Sequence, residues 1–206
     1  MRYGLDHKER TRGRVLGAAA RSILAFGPHR IGVADVMAKA GLTHGGFYGH
    51  FLGKDELIAA AIELLFDEAL ANLQRLTGDR APGEALGAYI DWYLSPRHRD
   101  ARETGCPLAA LSADVPRLDV AARRRFSRGA SRLISGIAML LSALGKRGPE
   151  SLASSAFAEM VGALVLARGA DARESDSILE GSRVRLKARL GIERLGRHPP
   201  ARHRNS

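Results

Sequence analysis

The sequence predicts an all-α protein, and three observations carry that expectation. Alanine and leucine, both strong helix formers, set the tone of the composition. Runs of valine, isoleucine and threonine, which favour strands, are few. Apolar residues recur at helical spacing in nearly every segment between glycine and proline breaks. The expected architecture is an N-terminal three-helix unit with the layout of a helix-turn-helix, then a larger C-terminal helical unit, about nine helices in total.

A first helix is expected over 5–26, with Val15, Leu16, Ala19, Ile23 and Phe26 on one side and arginines on the other; Gly27-Pro28 ends it. A second, over 34–40, comes after Gly32 at the N-cap position and closes at Gly41, a residue free to take the left-handed conformation. Small residues Ala38 and Gly41 are expected where this helix crosses the next. Thr43 caps a short third helix over 43–49. Lys54-Asp55-Glu56 opens a longer helix over 54–76, with acids in the first turn where the helix dipole favours them. The run Gly-Asp-Arg-Ala-Pro-Gly at 78–83 breaks the chain, and further helices are expected over 84–95, 107–113, 116–144, 150–170 and 175–195. This gives a helix-turn-helix domain at 1–53, a helical regulatory and dimerisation domain at 54–195 with 54–77 as connecting helix, and a basic disordered tail at 196–206.

The balance of charge narrows the partners. A net charge of +10 favours polyanions, either nucleic acid or an anionic membrane surface. Residues 1–30 concentrate arginine, with Arg2, Arg10, Arg12, Arg14, Arg21 and Arg30 against only Asp6 and Glu9. The N-terminus lacks the apolar stretch of a secretory signal, and no uninterrupted apolar run approaches the roughly 18 residues of a membrane span. The expectation is a cytoplasmic protein with no membrane partner. Cys106, the one cysteine, leaves no partner for an internal disulfide or a Cys-pair metal site.

The stretch VADVMAKAGLTHGGFYGHFLGKDEL at 33–57 is the most informative in the chain. It reads as a short helix, a tight glycine turn, a second short helix and the start of a longer one. That layout presents one helix to the major groove of duplex DNA. Val36, Met37, Ala40, Leu42, Phe47 and Phe51 supply the apolar faces that lock the two short helices together. Thr43, His44, Gly45, Gly46 and Tyr48 are left facing outward. Two adjacent glycines in so short a helix cost about 1 kcal/mol each against alanine, and close approach of backbone to DNA is a physical reason to keep them. His44 and Tyr48 lie one turn apart and share a face, suited to a base edge or a phosphate. Thr43, His50 and Lys54 suit phosphates at the groove rim.

Taken together, Gly41, Thr43, Tyr48, His50, Phe51, Lys54, Asp55, Glu56 and Leu57 match in spacing the helix, glycine turn, Ser/Thr cap, Tyr-x-His-Phe and Lys-acid-acid-Leu run of the TetR/AcrR family of transcriptional repressors. The chain resembles that family closely over 8–66, and in helix count to about residue 195. It departs at Ile31-Gly32, where many members have a hydroxyl residue, and at Gly53, where Ser or Asn is commoner before the lysine. The Leu-Thr-His-Gly-Gly-Phe-Tyr variant is similar to one branch of the family, in which a Gly-Cys-Pro-Leu segment comes later, here Gly105 to Leu108. The resemblance implies a homodimer whose last two long helices pair into a four-helix bundle. It also implies a small-molecule site in the second domain that controls release from a palindromic operator.

In that second domain Phe157, Val161, Leu164 and Val165 form an apolar stripe interleaved with small residues and are candidates for the dimer interface; the alternative is a core helix. Tyr89, Trp92 and Tyr93 cluster on one helix and are candidates either for a ligand pocket or for the core. Cys106 lies after Arg97, His98, Arg99 and Arg102 and before Pro107, so a thiol at a helix start among cations is expected to have a lowered pKa, which makes it a candidate sensor of electrophiles or oxidants. The alternative is a buried cysteine acting as a small hydrophobe.

An enzyme is not expected. The chain has no Gly-rich phosphate loop, no nucleophile elbow and no metal-spaced histidine pair, and no cofactor or metal is implied. The rival reading is a basic helical protein that binds DNA without sequence preference.

Overall fold

The computed structural model describes residues 2–193, with side chains from residue 7 onward. The expected tail at 196–206 lies outside the described residues. Among those described there are α-helices and short 3-10 turns but no strand. The helices are α1 (Arg2–Phe26), α2 (Val33–Lys39), α3 (Lys54–Thr77), α4 (Pro82–Tyr93), α5 (Pro96–Asp100), α6 (Pro107–Leu111), α7 (Val120–Ala143), α8 (Pro149–Gly169) and α9 (Ala172–Leu190).

Local chemistry sets these boundaries. Pro82, Pro96, Pro107 and Pro149 each open a helix, where a missing N–H costs nothing. Asp119 accepts a hydrogen bond from the Ala122 backbone N–H at 2.8 Å, and Asp171 from that of Glu174 at 3.0 Å. These two caps correct the expected boundaries. Pro116 sits in a separate 3-10 turn (Val115–Arg117), so α7 begins only after Asp119. For the same reason α9 begins at Ala172. Gly53 offers α3 no side-chain cap, but Glu56 reaches back past it to accept from the Leu52 N–H at 2.6 Å.

Two groups of packed residues lie along α3. At its start, Leu57, Ala61 and Ile62 join Val15, Ala19 and Ile23 of α1, Val36 and Met37 of α2, and Phe47 and Phe51, all buried. Farther along, Phe66 and Leu73 of α3 meet α7, and α4, α8 and α9 complete the bundle. The α3–α7 approach is close because residue 129 is glycine. A Cβ there would stand 2.1 Å from Phe66 Cγ. Arg132–Asp67 (2.6 Å) and Arg125–Glu63 pair the same two helices on their outer side, while Arg189–Glu159 (2.6 Å) joins α9 to α8. Exposed pairs of this kind contribute at most about 1 kcal/mol each and mainly fix register.

α8 is long and apolar enough, by length and composition, to cross a membrane, although Glu159 and Arg168 interrupt its apolar residues. Its buried face, from Ala153 through Phe157 and Met160 to Ala167, belongs to the core shared with α7 and α9. The interface candidates divide accordingly. Phe157 and Leu164 are buried inside the subunit, as the core alternative has it and not as interface residues; Val161 is half-buried, and Val165 is exposed. Leu166 on α8 and Val184 on α9 are also exposed.

Candidate nucleic-acid interface and internal cavity

The turn between the two short elements is closed as a Schellman motif. Gly41 has φ +68°, its N–H bonds to the Ala38 carbonyl at 2.9 Å, and the Leu42 N–H bonds to the Met37 carbonyl at 2.9 Å. Arg14 of α1 donates to the Ala40 carbonyl, and its guanidinium lies 2.9 Å from where a Cβ of residue 41 would stand. Glycine is therefore favoured there by conformation, and a larger residue would also have to displace the Arg14 guanidinium. Ala38 is exposed, so it does not lie at the helix crossing assigned to it.

Beyond this turn the chain forms a 3-10 helix (His44–Gly49) rather than the expected α-helix. Gly45, Gly46 and Gly49 lower helix propensity so far that a tighter turn held by the Gly46 N–H to Thr43 carbonyl bond (3.1 Å) suffices. Thr43 stands at the N-cap position, but its hydroxyl makes no capping hydrogen bond and is exposed. Phe47 and Phe51 are buried and stack with centroids 5.6 Å apart, anchoring the element to the core. Against that anchor Tyr48 is 69% exposed, and His44 meets it edge-on at 6.5 Å. A Cβ at Gly45 or Gly49 would meet nothing within 4 Å, so nothing inside the chain demands glycine at either position. His50 is half-buried with its Nδ1 unpartnered. Lys54 donates to the His29 carbonyl at 3.4 Å, and Arg12 lies over the Phe51 ring at 4.8 Å. Thr43, His44, Gly45, Gly46 and Tyr48 thus share one exposed surface, with His50 and Lys54 at its border.

A cavity of about 690 Å³ lies at the other group, between α1, α3, α4 and the segment 97–106. Tyr89, Trp92 and Tyr93 line it together with His98 and Cys106, while the exposed Glu68, Arg75 and Arg97 stand at its solvent side. Sequence reasoning missed His98 as a lining residue, because it sits in the charged run Arg-His-Arg-Asp. The Ser95-Pro96 start was the available signal: Ser95 Oγ accepts from the His98 N–H at 3.2 Å and begins α5, which turns the imidazole inward. His98 stacks on Trp92 with centroids 4.3 Å apart, and its Nδ1–H donates to the Tyr93 carbonyl at 2.8 Å. Burial lowers its pKa to about 4, and nearby Arg168 adds to the effect. Arg168 of α8 donates from Nε to the Arg99 carbonyl at 3.0 Å and holds the segment in place. Gly105 leaves room for that guanidinium, which lies 2.8 Å from where a Cβ would be.

Cys106 is buried, with its thiol beside the Tyr93 hydroxyl, which makes no hydrogen bond of good geometry. Burial pushes the thiol pKa up, outweighing hydrogen bonds and the attraction of Arg168. The expected lowering therefore does not occur. α6 is only five residues long, so it offers little dipole, and Arg99 is turned away to Asp176 at 2.7 Å. No cluster of three or more His, Cys, Asp or Glu suited to a metal ion occurs among the described residues.

Residues 15–61 match the family model described as bacterial regulatory proteins, tetR family. Among curated proteins the chain is similar to the uncharacterized HTH-type transcriptional regulators YfiR (26% identical over 103 residues, 50% of each chain) and YvdT (33% over 90 residues, 42% of this chain and 46% of the relative), both of Bacillus subtilis strain 168. The match thus spans about half the length of these curated relatives. Among solved structures it is similar to the reduced form of E. coli NemR (TM-score 0.78, 22% identical, covering 87% of this chain and 96% of that one). A TetR transcriptional regulator from Chloroflexus aurantiacus is similar too (TM-score 0.76, 24% identical, covering 90% and 96%). Residues 15–61 are therefore similar to the N-terminal region of tetR-family bacterial regulatory proteins, and the described residues share the all-helical fold of these solved structures.

Proposed function

We propose that this protein is a transcriptional regulator, in the first instance a repressor, that binds a palindromic operator as a homodimer and is released by a small-molecule or thiol-reactive inducer. The observation that carries the reading is the surface built by the 3-10 helix. Buried Phe47 and Phe51 fix an element whose outer side presents His44 and Tyr48 beside backbone with no Cβ cover. Thr43, His44, Gly45, Gly46, Tyr48, His50 and Lys54 are the residues assigned to DNA, within a domain at 1–53. The helices from 54 to 195 are assigned to sensing and dimerisation, with Val161 and Val165 toward the partner subunit. The family match over 15–61 and the basic N-terminal segment support the assignment. The compartment proposed is the cytoplasm.

Footprinting on DNA upstream of the gene and its neighbours, with competitor DNA at stated salt, tests the reading. Two symmetric half-sites about one helical turn apart are expected. Protection without symmetry, or equal affinity for competitor, would leave only a basic protein that binds DNA without preference. Tyr48→Ala should cost about tenfold in operator affinity with an unchanged helical spectrum. Lys54→Ala should weaken binding to all sequences alike and reduce the salt slope by about one. Undiminished affinity in both variants would remove these residues from the DNA face.

Cys106→Ser should bind the operator as the wild type does but no longer release it on treatment with N-ethylmaleimide. Because burial keeps the group a thiol at neutral pH, release in the wild type should be slow and should quicken with rising pH. Equal release of both proteins would retire the sensor.

A further inference from the structure

Arginine gathers at and just before the start of α7 in excess of what the fold employs. From Asp114 to Arg132 the chain holds six arginines against two acids. Arg125 and Arg132 pair with Glu63 and Asp67 of α3. Arg117, Arg123, Arg124 and Arg128 are exposed, and their guanidinium groups have no ion-pair or hydrogen-bond partner among the described residues. The packing of α7 rests on other residues, among them the buried Ala122, Gly129 and Leu133. A cluster of unpaired cations raises the local potential and attracts a polyanion.

The register of the helices selects which polyanion that is. α3 and α7 run in the same direction, since Glu63 meets Arg125, Phe66 meets Gly129 and Leu73 meets Gly136. The 3-10 turn that ends at Arg117 therefore stands level with the start of α3. Arg117, Lys54 and His29 accordingly line one groove of about 270 Å³. Its acids, Asp55 and Asp119, both lie at helix N-termini, where they offset the dipole, and Asp119 also accepts from the Ala122 N–H at 2.8 Å. Lys54 stands at the border of the exposed surface that carries Thr43, His44 and Tyr48. The groove continues that border onto the second domain. Duplex DNA carries a charge about every 1.7 Å of axis, so a surface that reaches it at Lys54 meets further phosphates beside that one.

We infer that Arg117, backed by the field of Arg123 and Arg124, holds a backbone phosphate of the duplex next to the one held by Lys54. This rests on the DNA-binding surface proposed above and extends it beyond residue 54. The domain assigned to sensing thereby holds the DNA directly.

Binding is measured across a range of salt with two duplexes, the footprinted operator and a random sequence of equal length. Arg117→Gln should lower the salt slope by about one on both, and affinity about fivefold near 0.15 M salt. Arg147→Gln, which removes the same charge beyond the far end of α7, should leave both unchanged. Replacing single operator phosphates by neutral methylphosphonates should reveal one position that weakens the wild type but not Arg117→Gln. Absence of such a position, an unchanged slope for Arg117→Gln, or an equal loss in Arg147→Gln overturns the inference. So does binding to phosphatidylglycerol vesicles that Arg117→Gln abolishes while its DNA slope stays that of the wild type. A footprint together with an unchanged slope leaves the operator reading standing and removes Arg117 from it. A lowered slope on the random duplex, in a protein that gives no footprint, upholds the phosphate contact while the operator reading falls.

Discussion

Gly129→Val should destabilise the protein by about 3 kcal/mol or more, against the direction that helix propensity alone would give. Replacing glycine inside a helix removes a backbone-entropy penalty of about 1 kcal/mol when the new side chain has space. At position 129 there is none. The first added carbon would stand 2.1–2.6 Å from Cγ, Cδ2 and Cβ of Phe66, and these atoms lie too near the α3 backbone to swing aside. Phe66 is itself braced edge-on by Phe126 at 5.2 Å. The substitution must therefore push α7 from α3 along their longest shared contact. Gly13→Ala on α1, where a Cβ would meet nothing within 4 Å, should instead stabilise by about 0.4–1 kcal/mol. Thermal melts of the two variants beside the wild type should move in opposite directions. A melt of Gly129→Val unchanged from the wild type would mean that the two helices are not in this contact.

Acid should weaken the fold through His98. The imidazole has an ordinary pKa near 6.5 in the unfolded chain and one of about 4 in the folded protein. Between those values the unfolded chain takes up a proton that the folded one refuses, so protonation favours unfolding. Above pH 6.5 the effect is absent, and below about pH 4 it is fully developed and flat. The loss across this window is on the order of 3 kcal/mol. Carboxylates titrate near the lower end of the window, so the contribution is read from the difference between wild type and His98→Phe. The variant should lose less stability between pH 6.5 and 4.5, measured by urea unfolding at each pH. Parallel pH profiles would mean that His98 is hydrated in the folded protein.

The helices were legible because their signals are local. Pro107, Lys54-Asp55-Glu56 and Gly41 act within one turn of their own positions, whereas the Asp171 cap went unread and α9 starts earlier than expected. Val36, Met37, Phe47 and Phe51 were readable as core for the same reason, and all four are buried. The 3-10 form of 44–49 was less accessible, although Gly45, Gly46 and Gly49 stand in plain view. Low helix propensity speaks against a regular α-helix without naming the hydrogen-bond pattern that replaces it. The cavity was legible only in part. Tyr89, Trp92 and Tyr93 share a helix, so their spacing brings them together, whereas His98 and Cys106 reach the same wall through two further turns of chain. For Cys106 the sequence supplied neighbouring cations but not burial, and burial decides the direction of its pKa. Phe157 and Val165 illustrate the same limit, since a stripe of apolar residues does not say which edge faces the subunit's own core.

α3 has no interruption from Lys54 to Thr77. Leu57, Ala61 and Ile62 belong to the packing around the helix-turn-helix, and Phe66 and Leu73 to the packing around α7. One hydrogen-bond ladder of about 36 Å thus runs through both. The two ends of the molecule are accordingly bound into a single cooperative unit. Damage at the Phe66 contact will be felt in the ordering of Phe47 and Tyr48, which it does not touch.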